Sequence, residues 1–416
     1  MPRRFFARSA PLVVMLAIAA ALVDCAPEGS VPAPLSPPQS PAFPSPPAPP
    51  EAPPPPPPAA PKTAKVALLV PLSGANAGLG RAILDAAQLA LFETGGQQMT
   101  LVPRDTKGTP DGAAAAARSA IAEGAQLILG PLLAAEVRAI QPVARDAHVN
   151  VIAFSTMTSL AGDGTFLMGF LPRQEVVREV GYAHERGLDR FAALAPNSPY
   201  GHLMADALEK AAAADGGTVT RVAFYGPSAA DSAAAIKSLG GGAAAGNAGG
   251  AAAAPAPPFA ALLLPEGGAR LDQIAGQLQT AGLVQPQVRL LGSGLWDVPG
   301  IGKDPALDGG WFAAAPPDPR REFETRFQAT YGQAPPRLAS LGFDAAALAA
   351  VLARQGGDHP FSQEAIMNPS GFTGVNGLFR FRPDGLVQRG LAVLEVGPGG
   401  NIVVSPAPQS FAGVGG

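Results

Sequence analysis

KVALLVPLSGANAGLGRAILDAAQLALFE, residues 65–93, decides the fold. After its lysine the run Lys65–Val70 is continuously apolar and is stopped by Pro71 and Gly74, the pattern of a strand buried on both faces. Leu79 to Glu93 then places Ile83, Leu84, Ala87 and Leu91 on one helical face. A buried strand leading into an amphipathic helix is one β–α unit of a parallel sheet.

The unit recurs, and a second series begins near Arg173. Leu101–Val102 ends a strand, Pro110–Glu123 reads as a helix, and Leu127–Leu129 is a strand ended by Gly130-Pro131. Leu132–Ala147 is a helix and Val149–Phe154 a strand. The second series runs Gln174–Arg186 (helix), Arg190–Ala195 (strand), Tyr200–Ala214 (helix), Val219–Phe224 (strand) and Ser228–Leu239 (helix). Gly, Ala, Asn and Pro fill 240–258 without periodicity, which predicts a low-complexity surface loop. Phe259–Leu264 resumes as a strand, Gly268–Ala281 as a helix and Val288–Leu291 as a strand. Helices around Arg320–Tyr331 and Ala339–Ala353 follow, with late strands at Leu378–Arg382 and Leu391–Val396.

The expected fold class is α/β, with two lobes, each a parallel sheet flanked by helices, and a hinged cleft between them. The chain crosses between lobes more than once. The expected division gives lobe 1 about 64–170 plus about 295–345, and lobe 2 about 171–294 plus about 346–400, with 401–416 as a tail.

Outward from the body, the N-terminus carries an address. Arg3, Arg4 and Arg8 precede the apolar run Leu12–Val23, and Cys25, the single cysteine of 416 residues, follows it. About a dozen apolar residues are too few to span a bilayer, which takes roughly 20, and suit a signal peptide over 1–25. Residues 26–63 form an expected disordered tether, with 18 prolines between Ala26 and Lys62 and six in a row at Pro53–Pro58. Proline-rich chain extends by about 3.1 Å per residue, so this segment reaches on the order of 100 Å. One cysteine excludes an internal disulfide.

Composition narrows the function classes. Lys+Arg 29 against Asp+Glu 32 gives a net charge of −3 with no basic stripe, so nucleic acid is not an expected partner. His148, His184, His202 and His359 are scattered without ligand spacing, so neither a metal nor a cofactor is expected. Gly-x-Ser-x-Gly is absent, and Gly74, Gly78 and Gly80 do not make a phosphate loop. The body reads as a non-enzyme.

Ligands in open parallel sheets bind beyond the carboxyl ends of strands. The loops there supply Ser73, Ser155, Thr156, Tyr200, Glu266, Trp296 and Asp297 as candidate ligand-binding residues. Hydroxyls and main-chain N–H groups for a carboxylate, with an acid for an ammonium, suit a small amino-acid-like ligand. Each has a second reading: Ser155 and Thr156 as helix caps, Tyr200 as packing at a helix start, Glu266 as a first-turn acid, Trp296 as core between the lobes, and Asp344 as a helix-end residue.

VALLVPLSG (66–74), LILGP (127–131), VIAFST (151–156) and PYG (199–201), in this order and spacing, resemble the leucine-binding branch of type 1 periplasmic binding proteins. The resemblance covers nearly all of 65–396. It implies a two-lobed type 1 periplasmic-binding-protein fold and carries ligand-contacting roles onto Ser155, Thr156 and Tyr200. Leu132-Leu-Ala-Ala135 departs, since amino-acid binders place a hydroxyl in that loop. LVPRDT (101–106), ALLLPEGGAR (261–270) and FRFRPDGL (379–386) are most similar to lipoproteins of this fold described as penicillin-binding protein activators. That likeness implies a periplasmic envelope regulator of peptidoglycan synthesis, anchored in the outer membrane through a lipid on Cys25 and contacting a peptidoglycan synthase. Those activators can carry a further helical domain where this chain has only the tether. LVDC (22–25) resembles a lipobox, although Asp24 stands where a small residue is usual. The alternative implied by the wider family is an amino-acid-binding receptor of an ABC importer.

Overall fold

The computed structural model describes residues 63–240 and 257–412. The expected signal peptide with Cys25, the expected tether to residue 62 and most of the expected 240–258 loop lie outside the described residues.

The first lobe is built on a five-stranded parallel sheet. Its strands are β1 (Ala64–Val70), β2 (Met99–Asp105), β3 (Leu127–Leu129), β4 (Asn150–Ala153) and β5 (Thr165–Leu167), in the order β2-β1-β3-β4-β5. Val66, Ala67, Leu68, Leu69 and Val70 are fully buried, as the unbroken apolar run requires of a central strand. Between the strands run α1 (Ala77–Glu93), α2 (Pro110–Ala122) and α3 (Ala134–Asp146). Thr109 caps α2, its side chain accepting the N–H of Gly112, and Pro110 follows at the first helical position.

The second lobe holds a seven-stranded mixed sheet. After α4 (Pro172–Glu185) come β6 (Arg190–Pro196), α5 (Pro199–Ala214), β7 (Thr218–Tyr225), α6 (Ala229–Ser238), β8 (Ala261–Leu263), α7 (Gly268–Thr280), β9 (Arg289–Leu291) and β10 (Trp311–Ala314). Past β10 the chain forms α8 (Pro317–Tyr331), α9 (Ala339–Gln355), α10 (Gln363–Ile366) and three short strands, β11 (Phe372–Gly374), β12 (Gly377–Phe381) and β13 (Val387–Arg389). It then adds β14 (Ala392–Glu395) and β15 (Ile402–Ser405), giving the order β15-β14-β10-β9-β8-β6-β7.

Three expectations change here. The second sheet is not wholly parallel, because β14 pairs antiparallel with β10 and β15 antiparallel with β14. The lobe boundaries fall at about 315 and 390 rather than 295 and 346. Phe323, Phe327, Leu341, Phe343, Phe379 and Phe381 share one apolar core with β1 and α1, so α8 through β13 close the first lobe, while β10 and β14 lie in the second sheet. Residues 402–405, expected as tail, are an edge strand. The chain therefore crosses between lobes three times, near 168–171, 315–316 and 390–391.

Gly342 makes the late segment fit. A Cβ there would lie 2.3 Å from the Ile83 carbonyl oxygen, so the hydrogen of glycine is what lets α9 lie directly on α1.

Candidate functional site

The carboxyl ends of both sheets open onto one cleft of about 400 Å³ between the lobes. From the first lobe come Asn76 and Leu79 after β1, Leu132 and Leu133 after β3, and Phe154, Ser155 and Thr156 after β4. Phe170 and Pro172 stand on the first crossing. The second lobe contributes Glu175, Tyr200, Gly294 and Leu295, and the turn before α9 adds Arg337 and Leu338. The wall is mainly leucine and phenylalanine, with a few polar groups placed among them, as in small-molecule sites generally.

Ser155, Thr156 and Tyr200 are brought together here. The Ser155 oxygen accepts the N–H of Met157 at 3.2 Å, a local turn that leaves its own O–H to donate elsewhere. Thr156 is exposed in the cleft. Tyr200 begins α5, which Ser198 caps by accepting the Gly201 N–H at 3.2 Å. The Tyr200 hydroxyl donates to Ser293 Oγ at 3.1 Å, and burial pushes it up to about 12, so it stays neutral with its lone pairs available.

Ser73, Glu266, Trp296 and Asp297 lie away from the cleft wall. Ser73 is exposed and donates to Asp105 Oδ2 at 2.7 Å, tying the β1 and β2 loops together. Glu266 accepts from the Tyr225 hydroxyl at 2.7 Å, while its main-chain oxygen accepts from Trp296 Nε1 at 3.2 Å. Trp296 is fully buried and packs on Phe312 with ring centroids 6.4 Å apart, inside the core of the second lobe rather than between the lobes as expected. Asp297 is gripped by both terminal nitrogens of Arg320, one at 2.9 Å. Asp344 is a buried helix residue, accepting the Val375 N–H at 2.7 Å and the Asn376 amide at 2.8 Å.

Sequence reasoning passed over Glu175 and Arg337. Glu175 Oε2 accepts the Gly294 N–H at 2.8 Å, and Oε1 lies 4.0 Å from Arg337 Nη2. Burial pushes this carboxyl up to about 7, the nearby Arg337 and the Gly294 hydrogen bond offsetting only part of the cost. Arg337 also lies 3.9 Å from Asp297 Oδ2 and stacks over the Phe170 ring at 4.5 Å. Glu175 reads in sequence as a first-turn acid behind Pro172, and only its burial marks it out. Arg337 follows a Pro-Pro pair just ahead of a helix, a position from which a long side chain is expected to point to solvent.

The sequence profile of a family described as Periplasmic binding protein matches residues 63–401. Among solved structures, one from Rhodospirillum rubrum, provisionally described as a branched-chain amino acid ABC transporter, is 20% identical with a TM-score of 0.69, covering 82% of this chain and 100% of that one. An ABC transporter substrate-binding protein from Sphaerobacter thermophilus is 22% identical with a TM-score of 0.65, covering 83% and 98%. An ABC transporter solute binding protein from R. palustris in complex with benzoate is 21% identical with a TM-score of 0.57, covering 84% and 97%. By sequence, the uncharacterized protein RP748 of Rickettsia prowazekii (strain Madrid E) is 23% identical over 160 residues, 38% of this chain. The match takes in 43% of that relative, so the chain spans less than half of its length. The chain belongs to the periplasmic binding protein family, a family of periplasmic binding proteins rather than enzymes, and its domain is of the leucine-binding-protein type.

Proposed function

We propose, on the premise of that membership, that the chain holds one small solute with an apolar body in the cleft between its lobes and does not alter it chemically. The observation that carries this reading is the placement of Ser155 and Thr156 on one lobe and Tyr200 on the other around a wall of leucine and phenylalanine. Such an arrangement orients a carboxylate while burying a hydrocarbon body. Branched-chain amino acids and benzoate, the molecules named with two of the similar structures, share both features. Delivery to an ABC importer is the transport role that goes with this reading. Calorimetry of the full chain against leucine, isoleucine, benzoate and 4-methylpentanoate tests it: saturable binding of any one supports it, and no binding across the panel overturns it.

A second reading has its own support in residues 1–62 and in Leu132-Leu133. Here the chain is a lipid-anchored penicillin-binding protein activator, held at the outer membrane through Cys25 and extended by the proline-rich segment to a peptidoglycan synthase. Leu132 and Leu133 line the cleft where the family resemblance implies a hydroxyl for an amino-acid ligand, which favours a domain whose partner is a protein. Pull-down from envelope extract at low salt is expected to recover a synthase, and a pull-down that recovers none sinks this reading. Membrane fractionation of Cys25→Ser tests the anchor: release into the soluble fraction is expected, and unchanged sedimentation with the membrane refutes lipid attachment.

A further inference from the structure

We propose that Arg337 sets the ligand class: the cleft takes a small apolar monocarboxylate lacking an ammonium group, bound through the Arg337 guanidinium. The proposal rests on the solute-binding reading and narrows it.

Arg337 is held in place without spending its donors. Its guanidinium stacks over Phe170 at 4.5 Å, which fixes its plane at the cleft wall, and its side chain keeps 31% of its exposure. The two acids facing it stand at 4.0 Å (Glu175) and 3.9 Å (Asp297), close enough for attraction and too far for hydrogen bonds. Both acids have nearer partners. Asp297 is taken by the fork of Arg320, and Glu175 by the Gly294 N–H. Among the described residues no hydrogen bond uses the Arg337 guanidinium. Five N–H donors in a planar fork, on the edge of an apolar cavity, match the two oxygens of a carboxylate.

Among the described lining residues the cleft has no comparable unengaged charge for a cation. Glu175 is the one acid among its described lining residues, with 8% of its side chain exposed and both oxygens directed at Gly294 and Arg337. Its raised carboxyl range leaves it partly uncharged near neutrality, which weakens any claim it has on an ammonium. Glu266, the acid expected for that task, is engaged by Tyr225 outside the cleft. An α-amino acid would bring an ammonium group to a site whose free charge is already positive. A fatty or aromatic acid of similar size brings none, and the leucines and phenylalanines of the wall receive its hydrocarbon.

The decisive comparison uses three molecules of one skeleton: 4-methylpentanoate, leucine, and 4-methylpentylamine, with benzoate as an aromatic acid. Calorimetry on the full chain is expected to show 4-methylpentanoate binding at least about tenfold more tightly than leucine, and the amine not at all. Arg337→Gln is expected to weaken the carboxylate by about tenfold or more, the usual scale for a lost hydrogen bond to a charged group, with Arg337→Lys intermediate. Leucine binding as tightly as the carboxylate, or R337Q binding it unchanged, overturns the assignment and leaves solute binding intact. Binding of none of the four overturns both. The wild-type ranking decides the matter even if R337Q folds poorly.

Discussion

The main-chain N–H of Gly294 donates to Glu175 Oε2 at 2.8 Å, joining the loop after β9 to the first turn of α4. A Cβ on Gly294 would meet Glu175 Oε1 at 2.4 Å and Arg337 Nη2 at 2.8 Å. The absence of a side chain at this position is what lets acid and base face each other at the cleft. Gly294→Ala is therefore expected to force both aside, at a cost of about 1–3 kcal/mol for overpacking. Thermal denaturation checks it, and a variant that melts with the wild type refutes the crowding.

Burial of Glu175 gives stability a pH dependence of definite sign. Its carboxyl rises from 4.5 to about 7 on folding, chiefly through loss of water. Between those values the folded chain keeps a proton that the unfolded chain has released. Stability contributed by this group is thus fully present below about pH 4.5 and is lost as pH rises to about 7, on the order of 3 kcal/mol. Glu179, one turn further along α4 and fully buried, is raised in the same direction by desolvation. Urea unfolding at pH 5 and pH 7.5 is expected to show a smaller loss in Glu175→Gln than in the wild type. Equal losses would assign the effect elsewhere.

Gly342 offers a test of the lobe assignment. Because its Cβ would sit 2.3 Å from the Ile83 carbonyl oxygen, Gly342→Ala must push α9 off α1. A loss of about 1–3 kcal/mol in the unfolding free energy is expected. A neutral result would mean that the two helices are not in direct contact.

The cleft hydroxyls make a third kind of prediction. Ser155→Ala combined with Thr156→Val preserves size and removes two donors, and should weaken a bound carboxylate by about threefold to thirtyfold. Tyr200→Phe loses the bond to Ser293 Oγ as well as any ligand contact, so its melting temperature should fall together with its affinity. Titration of both variants with the tightest ligand of the panel provides the check.

The β–α alternation was legible because parallel strands are buried on both faces, so Lys65–Val70 and Leu127–Leu129 stand out as apolar words between amphipathic helices. Ownership of the last third was not. Nothing local in Ala339–Gln355 says that it packs on Ala77–Glu93 more than 240 residues earlier; the shape of Gly342 against Ile83 says so, and only in three dimensions. The site divides the same way. Ser155, Thr156 and Tyr200 follow strands or start helices, and that position, with the family resemblance, is enough to place them at the cleft wall. Trp296 and Glu266 occupy equally promising loops, yet their side chains turn inward to Phe312 and Tyr225. Glu175 and Arg337 carry no motif, and their importance lies in what surrounds them.

Threading the chain three times between the lobes makes each lobe a composite of distant segments. Residues 64–167 cannot finish their core until 317–389 arrive, and 172–314 lack two edge strands until 392–405 are in place. Nascent chain therefore exposes incomplete apolar faces until residues 392–405 are in place. A stop codon between about residues 172 and 390 leaves neither lobe complete, the first short of its 317–389 segment and the second short of 392–405.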